Sequence, residues 1–316
     1  MKIGIVGAGL VGGTCAYSLV MRGIGREVVL VDANRKMAEA QANDIFHAVP
    51  FSHPLRVVPG EYSDLTGSHV VVVAAGVSQK PGETRIELLG RNLSIFKTIT
   101  RQILEHALDT IIVVATNPVD IMTHITSCYA RDFQMNSIRI IGSGTMLDTA
   151  RFRTLLGNHL GVDPQHIHGY VIGEHGDTEV LAWSAVMVGG MTLEDFCCQQ
   201  GCKIDKATRN DIDQKVRNAA YQIIEGKGAT YYGIGSALAR IIDVIIHDQR
   251  AILTVCAPQS RVEGVPDVTL SLPHILGGEG IISRLEIPLS EDEHRLLGSS
   301  AGAIRKTLDG LEHLKD

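Results

Sequence analysis

Val70 to Val73 are four valines in succession, inside an apolar run that reaches Ala75. A strand apolar on both faces has to be covered on both, as happens in a parallel sheet packed between helices. Lys2–Val6, Glu27–Val31, Leu55–Val58, His69–Ala75, Thr110–Ala115 and Ile138–Ile141 read as strands of this kind. Between them, Leu10–Met21, Arg35–His47, Glu87–His106 and Val119–Tyr129 carry helical periodicity. Strand and helix in alternation predict a doubly wound α/β domain over residues 1–143. From Gly144 the order loosens. Leu147–Leu160, Asp205–Glu225, Ile234–His247 and Glu291–Leu314 read as helices, with strands near Gly169–Ile172, Ala185–Val188, Ala251–Cys256 and Val268–Leu272. That mixture predicts an α+β second domain over residues 144–316, packed tightly because no Pro/Gly/Ser linker separates the halves.

Composition narrows the function classes. The 316 residues are 45% hydrophobic but only 4% aromatic, so the core has to be aliphatic. The longest apolar runs are too short to span a bilayer. Lys plus Arg number 29 against 35 Asp plus Glu, a net charge of −6 that argues against a nucleic acid or an anionic membrane as partner. The first residues show no signal-peptide pattern, and the six cysteines include no Cys-x-x-Cys pair. Cys197, Cys198 and Cys202 lie close in sequence, but no nearby histidine or second cluster completes a ligand set, so no metal is expected. Free thiols in a reducing cytoplasm are the simplest reading.

Gly7-Ala8-Gly9-Leu10-Val11-Gly12 follows the first strand and opens a helix. In such a turn the first glycine permits the bend, the second lets the backbone approach a pyrophosphate, and the third lets helix and strand pack closely. Asp32 ends the second strand, 20 residues after Gly12, where a carboxylate takes the ribose hydroxyls. It would repel a 2′-phosphate, so NAD is expected over NADP, with Arg35 the one residue that speaks for the other cofactor. Three further clusters carry chemistry. His175 sits in Gly173-Glu174-His175-Gly176-Asp177, a glycine-rich turn that suits a proton-exchanging imidazole better than a packed one. Asp148 and Arg151, three apart on a predicted helix, either make a surface pair or supply a carboxylate for His175 and a guanidinium for an anion. Gly76 to Arg85 is a polar loop with Gln79 and Arg85 at the sheet edge where α/β proteins bind ligands, and Thr116 to Asp120 ends the fifth strand on the same edge.

Together GAGLVG, VSQKPGETR, TNPVD, GSGTMLDTARFR, GEHGDTE and GKGATYYGIG resemble the lactate/malate dehydrogenase superfamily, in order and over essentially the whole chain. The resemblance implies a Rossmann-type domain followed by an α+β substrate domain, usually in a homotetramer. It implies His175 as proton donor and acceptor, Asp148 as its partner, Arg151 as the carboxylate-binding arginine and Arg85 as the lid arginine that polarises the substrate carbonyl. Asn117 matches a contact to the substrate oxygen, and Thr230 a pocket-lining threonine. Gly7, Gly9, Val11, Gly12, Asp32, Tyr62, Gly76, Val77, Thr116, Asn117 and Ser143 fall at cofactor-contact positions.

In the malate branch the lid position of Gln79 is arginine, which pairs with a second substrate carboxylate. Neutral Gln79 leaves that charge unpaired under the lid, and Glu83 worsens its surroundings. Pyruvate and lactate are therefore the expected pair, with oxaloacetate and malate, or a bulkier 2-hydroxy acid, as alternatives. Arg153 and His168 match a pair that binds fructose 1,6-bisphosphate between subunits in allosteric bacterial members; otherwise they simply sit at a subunit contact or on solvent. The rival outside the enzyme class is a redox-sensing NAD-binding protein. Binding alone, however, needs no proton donor such as His175.

Overall fold

The computed structural model describes residues 1–76 and 85–312, with the side chains of residues 85–88 and 312 also left aside. Expectations that fall on Val77, Gln79 and the Arg85 side chain lie outside the described residues.

The first half alternates as the valine run demands. Its elements are β1 (Lys2–Val6), α1 (Leu10–Arg22), β2 (Glu27–Val31), α2 (Arg35–Phe46), β3 (Arg56–Pro59), β4 (Ser68–Val73), α3 (Arg85–His106), β5 (Ile111–Val114), α4 (Val119–Arg131) and β6 (Ile140–Gly142). These strands pair in parallel in the order β6-β5-β4-β1-β2-β3, so the winding reverses between β1 and β4. The alternation of side chains across β4 splits the core in two. Val71 and Val73 join the cluster under α3 and α4, while Val70 and Val72 join the cluster under α1 and α2. Both are almost wholly aliphatic. Ile138, expected in a strand, instead lies in a 3₁₀ turn, because the Asn136 side chain accepts the Ile138 N–H and bends the chain before β6 begins.

The second half contains α5 (Met146–Leu160), then the short strands β7 (Ile167–His168), β8 (Val171–Ile172), β9 (Val180–Leu181), β10 (Met187–Val188) and β11 (Met191–Thr192). There follow α6 (Leu193–Gln200), α7 (Lys206–Lys227), α8 (Tyr232–Ile246), β12 (Ala251–Val262), β13 (Val265–Gly277), β14 (Gly280–Arg284) and α9 (Glu291–Glu312). The hairpin of β12 and β13 is about twice as long as its apolar centre suggests. Glu263 and Gly264, both at positive φ, form a tight turn that keeps the polar ends paired. β12 meets β6 antiparallel at Cys256 and Gly142, so one nine-stranded sheet runs through both halves. α8 packs beside α1 so closely that a Cβ on Gly235 would lie 2.6 Å from the Thr14 methyl. Among the described residues no helix is long and apolar enough to cross a membrane.

Candidate active site

The carboxyl ends of β1, β2 and β4 open onto a groove of about 490 Å³ lined by Gly7, Gly9, Asp32, Tyr62 and Gly76, with Ser94, Ile95 and Thr98 of α3 opposite. Gly7 takes φ +103° and donates its N–H to the Val31 carbonyl at 2.8 Å. A Cβ on Gly12 would lie 1.9 Å from the Gly7 carbonyl oxygen, while one on Gly9 would meet nothing within 4 Å among the described residues. The turn is thus closed against its own helix and open toward the groove, as a phosphate cradle has to be. Asp32 accepts the Ala8 and Asn34 N–H groups, at 2.7 and 2.8 Å, which holds its carboxylate at the groove. Arg35 is held by Glu39 at 3.0 Å and Glu61 at 2.8 Å, so its charge is engaged away from any 2′-phosphate. These residues fit a dinucleotide. Val11, Gly12, Thr116, Asn117 and Ser143 lie outside the lining of this groove. Thr116 donates to the Ala75 carbonyl at 2.6 Å, joining the ends of β5 and β4, and Ser143 is buried at the end of β6.

His175 is fastened from four sides. Gly173, at φ +89°, exchanges two main-chain hydrogen bonds with Ser271 of β13. Ser300 of α9 accepts the Glu174 N–H at 2.8 Å. Asp120 of α4 accepts the His175 N–H at 2.8 Å. The ring itself donates from Nδ1 to Asp148 Oδ2 at 2.6 Å, and the other oxygen of Asp148 takes Arg151 Nη1 at 2.8 Å. Asp148 lies in the first turn of α5, where the helix N-terminus favours a negative charge. That helix end is in turn fixed by Thr145 and Thr149, whose hydroxyls bond the main chain of Val171.

The electrostatics follow from this enclosure. Burial alone would push the imidazole down. The Asp148 hydrogen bond and charge, with the charges of Asp120 and Glu179, outweigh it and raise His175 to about 9. Burial likewise pushes Asp148 up, but His175 and Arg151 together bring it below the usual carboxylate range. The imidazolium is therefore the resting form at neutral pH. Nδ1 is committed to Asp148, which leaves Nε2 as the nitrogen that exchanges a proton. The side chain is 25% exposed, so a substrate can reach it.

Arg151 also lines a second cleft of about 580 Å³, together with Leu147, Ile223, Lys227, Thr230 and Tyr231. The structure thus places Arg151 and Thr230 on one cavity. Arg153 points elsewhere. Its Nε donates to the Gly169 carbonyl at 2.9 Å, and its guanidinium lies 5.6 Å from the centre of the Tyr170 ring. His168, one residue from Gly169, is exposed. Two acids beside His175 lie in motifs the sequence marks, but the sequence assigns neither of them a role. Asp120 is 2% exposed, and Glu179 is 4% exposed with no hydrogen-bond partner for Oε1 among the described residues. Burial, then the Asp148 charge, lifts Glu179 to about 8 against the opposing pull of Arg217, His175 and Arg151.

A dinucleotide cradle at the switch point of a parallel sheet, followed by an imidazolium held on a buried carboxylate, defines the class: a Rossmann-type oxidoreductase. Residues 1–142 match the family model of the lactate/malate dehydrogenase NAD binding domain, and residues 145–314 that of the lactate/malate dehydrogenase alpha/beta C-terminal domain. The chain is 54% identical to an L-lactate dehydrogenase of Geotalea daltonii, covering 98% of this chain and 99% of the relative. It is 50% identical to the L-lactate dehydrogenase of Thermus aquaticus, over 98% and 99% of the two chains. The crystal structure of minor L-lactate dehydrogenase from Enterococcus mundtii superposes with a TM-score of 0.93 at 35% identity, covering 98% of each chain. The chain belongs to the lactate/malate dehydrogenase family, and its cofactor is NAD.

Proposed function

We propose that the chain is an NAD-dependent L-lactate dehydrogenase that interconverts pyruvate and (S)-lactate, with residues 1–143 binding the cofactor and 144–316 the substrate. One observation carries the reading: a single buried carboxylate, Asp148, holds both the His175 ring and the Arg151 guanidinium. Bound NADH supplies a hydride to the keto carbon. His175 gives the keto oxygen its proton from Nε2, and in the reverse direction takes it back from the hydroxyl. Asp148 keeps the ring charged and oriented before transfer and stabilises the imidazolium when it re-forms. Arg151 holds the substrate carboxylate by parallel N–H bonds, which presents one face of the carbonyl. The family resemblance supports Arg85 at the carbonyl oxygen, Asn117 as a second contact to that oxygen, and Gln79 and Thr230 around the methyl group. Neutral Gln79 favours pyruvate over oxaloacetate, whose second carboxylate would be buried unpaired.

The finer parts of the proposal concern assembly. Leu10, Tyr17 and Met21 leave an exposed apolar stripe along α1, which suits burial in a homotetramer. Arg153 and His168 would take one phosphate of fructose 1,6-bisphosphate, and a twofold-related subunit the other. Among the described residues the cysteines form no disulfide, which suits a cytoplasmic location. The reading is tested by adding pyruvate to protein and NADH and following NADH absorbance. Wild type should consume NADH. His175→Ala should bind NADH nearly as well and turn over at least a hundredfold more slowly. A variant that keeps a tenth of wild-type turnover would remove His175 from the proton-transfer role.

A further inference from the structure

One buried acid beside the ring has no task in the mechanism above. Asp120 stands in the first turn of α4, 2% exposed. Its Oδ2 takes the His175 N–H at 2.8 Å. Among the described residues its Oδ1 has no hydrogen-bond partner, and the Cys256 thiol, where β12 joins β6, also bears on the carboxyl group. A neutral side chain of the same shape would accept the same N–H without the penalty of burying a charge. The carboxylate makes physical sense if a positive charge forms next to it, and the neighbouring cation is the His175 imidazolium.

We propose that Asp120 is a positioning residue for proton transfer: it pins the His175 main chain to α4, and its negative charge joins that of Asp148 in keeping the ring a charged donor. This rests on the role given to His175 above. The groups that bear on the pair are few. Asp120 meets His175 and Glu174 of the loop and Cys256 of β12, and His175 meets Asp148 of α5, Asp120 of α4 and Glu179 of its own loop. Burial pushes Asp120 up to about 6, although the Cys256 thiol and the His175 N–H pull it down. Above about pH 6 the acid is charged and supports the imidazolium; below it that support is lost, although Asp148 still keeps the ring protonated.

Asp120→Asn tests this, because the amide oxygen can keep the N–H bond while the charge goes. The first readout is an NMR titration of the His175 Cε1 proton in the free protein, assigned with His175→Ala, and it does not depend on activity. Wild type should titrate near pH 9, with a shoulder near pH 8 from Glu179 and a smaller second inflection near pH 6 from Asp120. In Asp120→Asn the main midpoint should fall by about one pH unit and the second inflection should vanish. The alkaline fall of kcat/KM for pyruvate should move down by the same amount, about a tenfold loss at pH values above both midpoints. A uniform loss of activity with both inflections in place would reduce Asp120 to a packing role and overturn the proposal. If Asp120→Asn does not fold, Cys256→Ala leaves the acid in place and removes the thiol that bears on it. The smaller inflection should then rise above pH 6; an unmoved inflection overturns the proposal. Should wild type fail to reduce pyruvate, the proposed function falls while the titration still decides the role of Asp120.

Discussion

Removing the charge on Asp148 separates what that residue does by charge from what it does by position. His175 is held at about 9 against an ordinary value of 6.5, although burial works the other way. At ~1.4 kcal/mol per pH unit, its surroundings favour the imidazolium by roughly 3 kcal/mol. Asp148 supplies the largest favourable part, through the 2.6 Å bond and its charge. In Asp148→Asn the burial penalty remains and most of its compensation is gone, so the midpoint should return to about 6.5 or lower. At pH 8 the ring would then be about 3% charged, against about nine-tenths in wild type. Protonation alone therefore predicts about a thirtyfold lower kcat/KM for pyruvate at that pH, and less as the pH falls toward about 5.5. The amide keeps only one of the two oxygens, so His175 and Arg151 can no longer both be held, and a pH-independent remainder is expected on top. The assay is NADH absorbance against pyruvate concentration from about pH 5.5 to about 10. NADH affinity should hold, since Asp148 lies outside the cofactor groove. A loss by one constant factor at every pH, with the midpoint still near 9, would refute the electrostatic argument and leave Asp148 a purely orienting group.

Other expectations follow from single contacts. Gly12→Ala puts a methyl 1.9 Å from the Gly7 carbonyl oxygen, a backbone clash that should weaken NADH binding about tenfold or more in a fluorescence titration. Gln79→Arg should raise kcat/KM for oxaloacetate and depress it for pyruvate, and an unchanged ratio would move that side chain away from the substrate. Fructose 1,6-bisphosphate should lower the apparent KM for pyruvate by roughly 5- to 150-fold, more strongly near about pH 6 than about pH 8. Arg153→Gln should abolish that response and spare turnover at saturation; superimposable pyruvate curves with and without bisphosphate would remove the allosteric site.

Much of this was readable in the chain because its signals are local. Gly7, Gly9, Gly12 and Asp32 act within one strand-helix-strand unit, so spacing alone carries their roles. Asp148 and Arg151 are one helical turn apart, and the glycines around His175 mark its loop as something other than packing. What the sequence hid depends on long-range contact. Asp120 lies 55 residues from the N–H it accepts, and its motif marks the ligand-binding edge without showing which loop the carboxylate meets. Glu179 stands in the same loop sequence as His175, and only the folded structure shows it to be 4% exposed. The join of β12 to β6 rests on Cys256 and Gly142, and no periodicity links them. Pro258 and the polar Gln259-Ser260-Arg261 stretch break the apolar pattern midway along β12, where cross-strand pairing to β13 maintains the strand. β14 and α6 escaped because the first is largely exposed and the second is eight residues capped by Thr192.

Substrate choice is the most direct test of the whole account. With wild-type protein and NADH, kcat/KM is measured for pyruvate and for oxaloacetate in the same buffer near neutral pH. Neutral Gln79 and one carboxylate-binding arginine predict that pyruvate is preferred by about a hundredfold or more, since an unpaired buried carboxylate costs several kcal/mol. Equal values, or a preference for oxaloacetate, would contradict it.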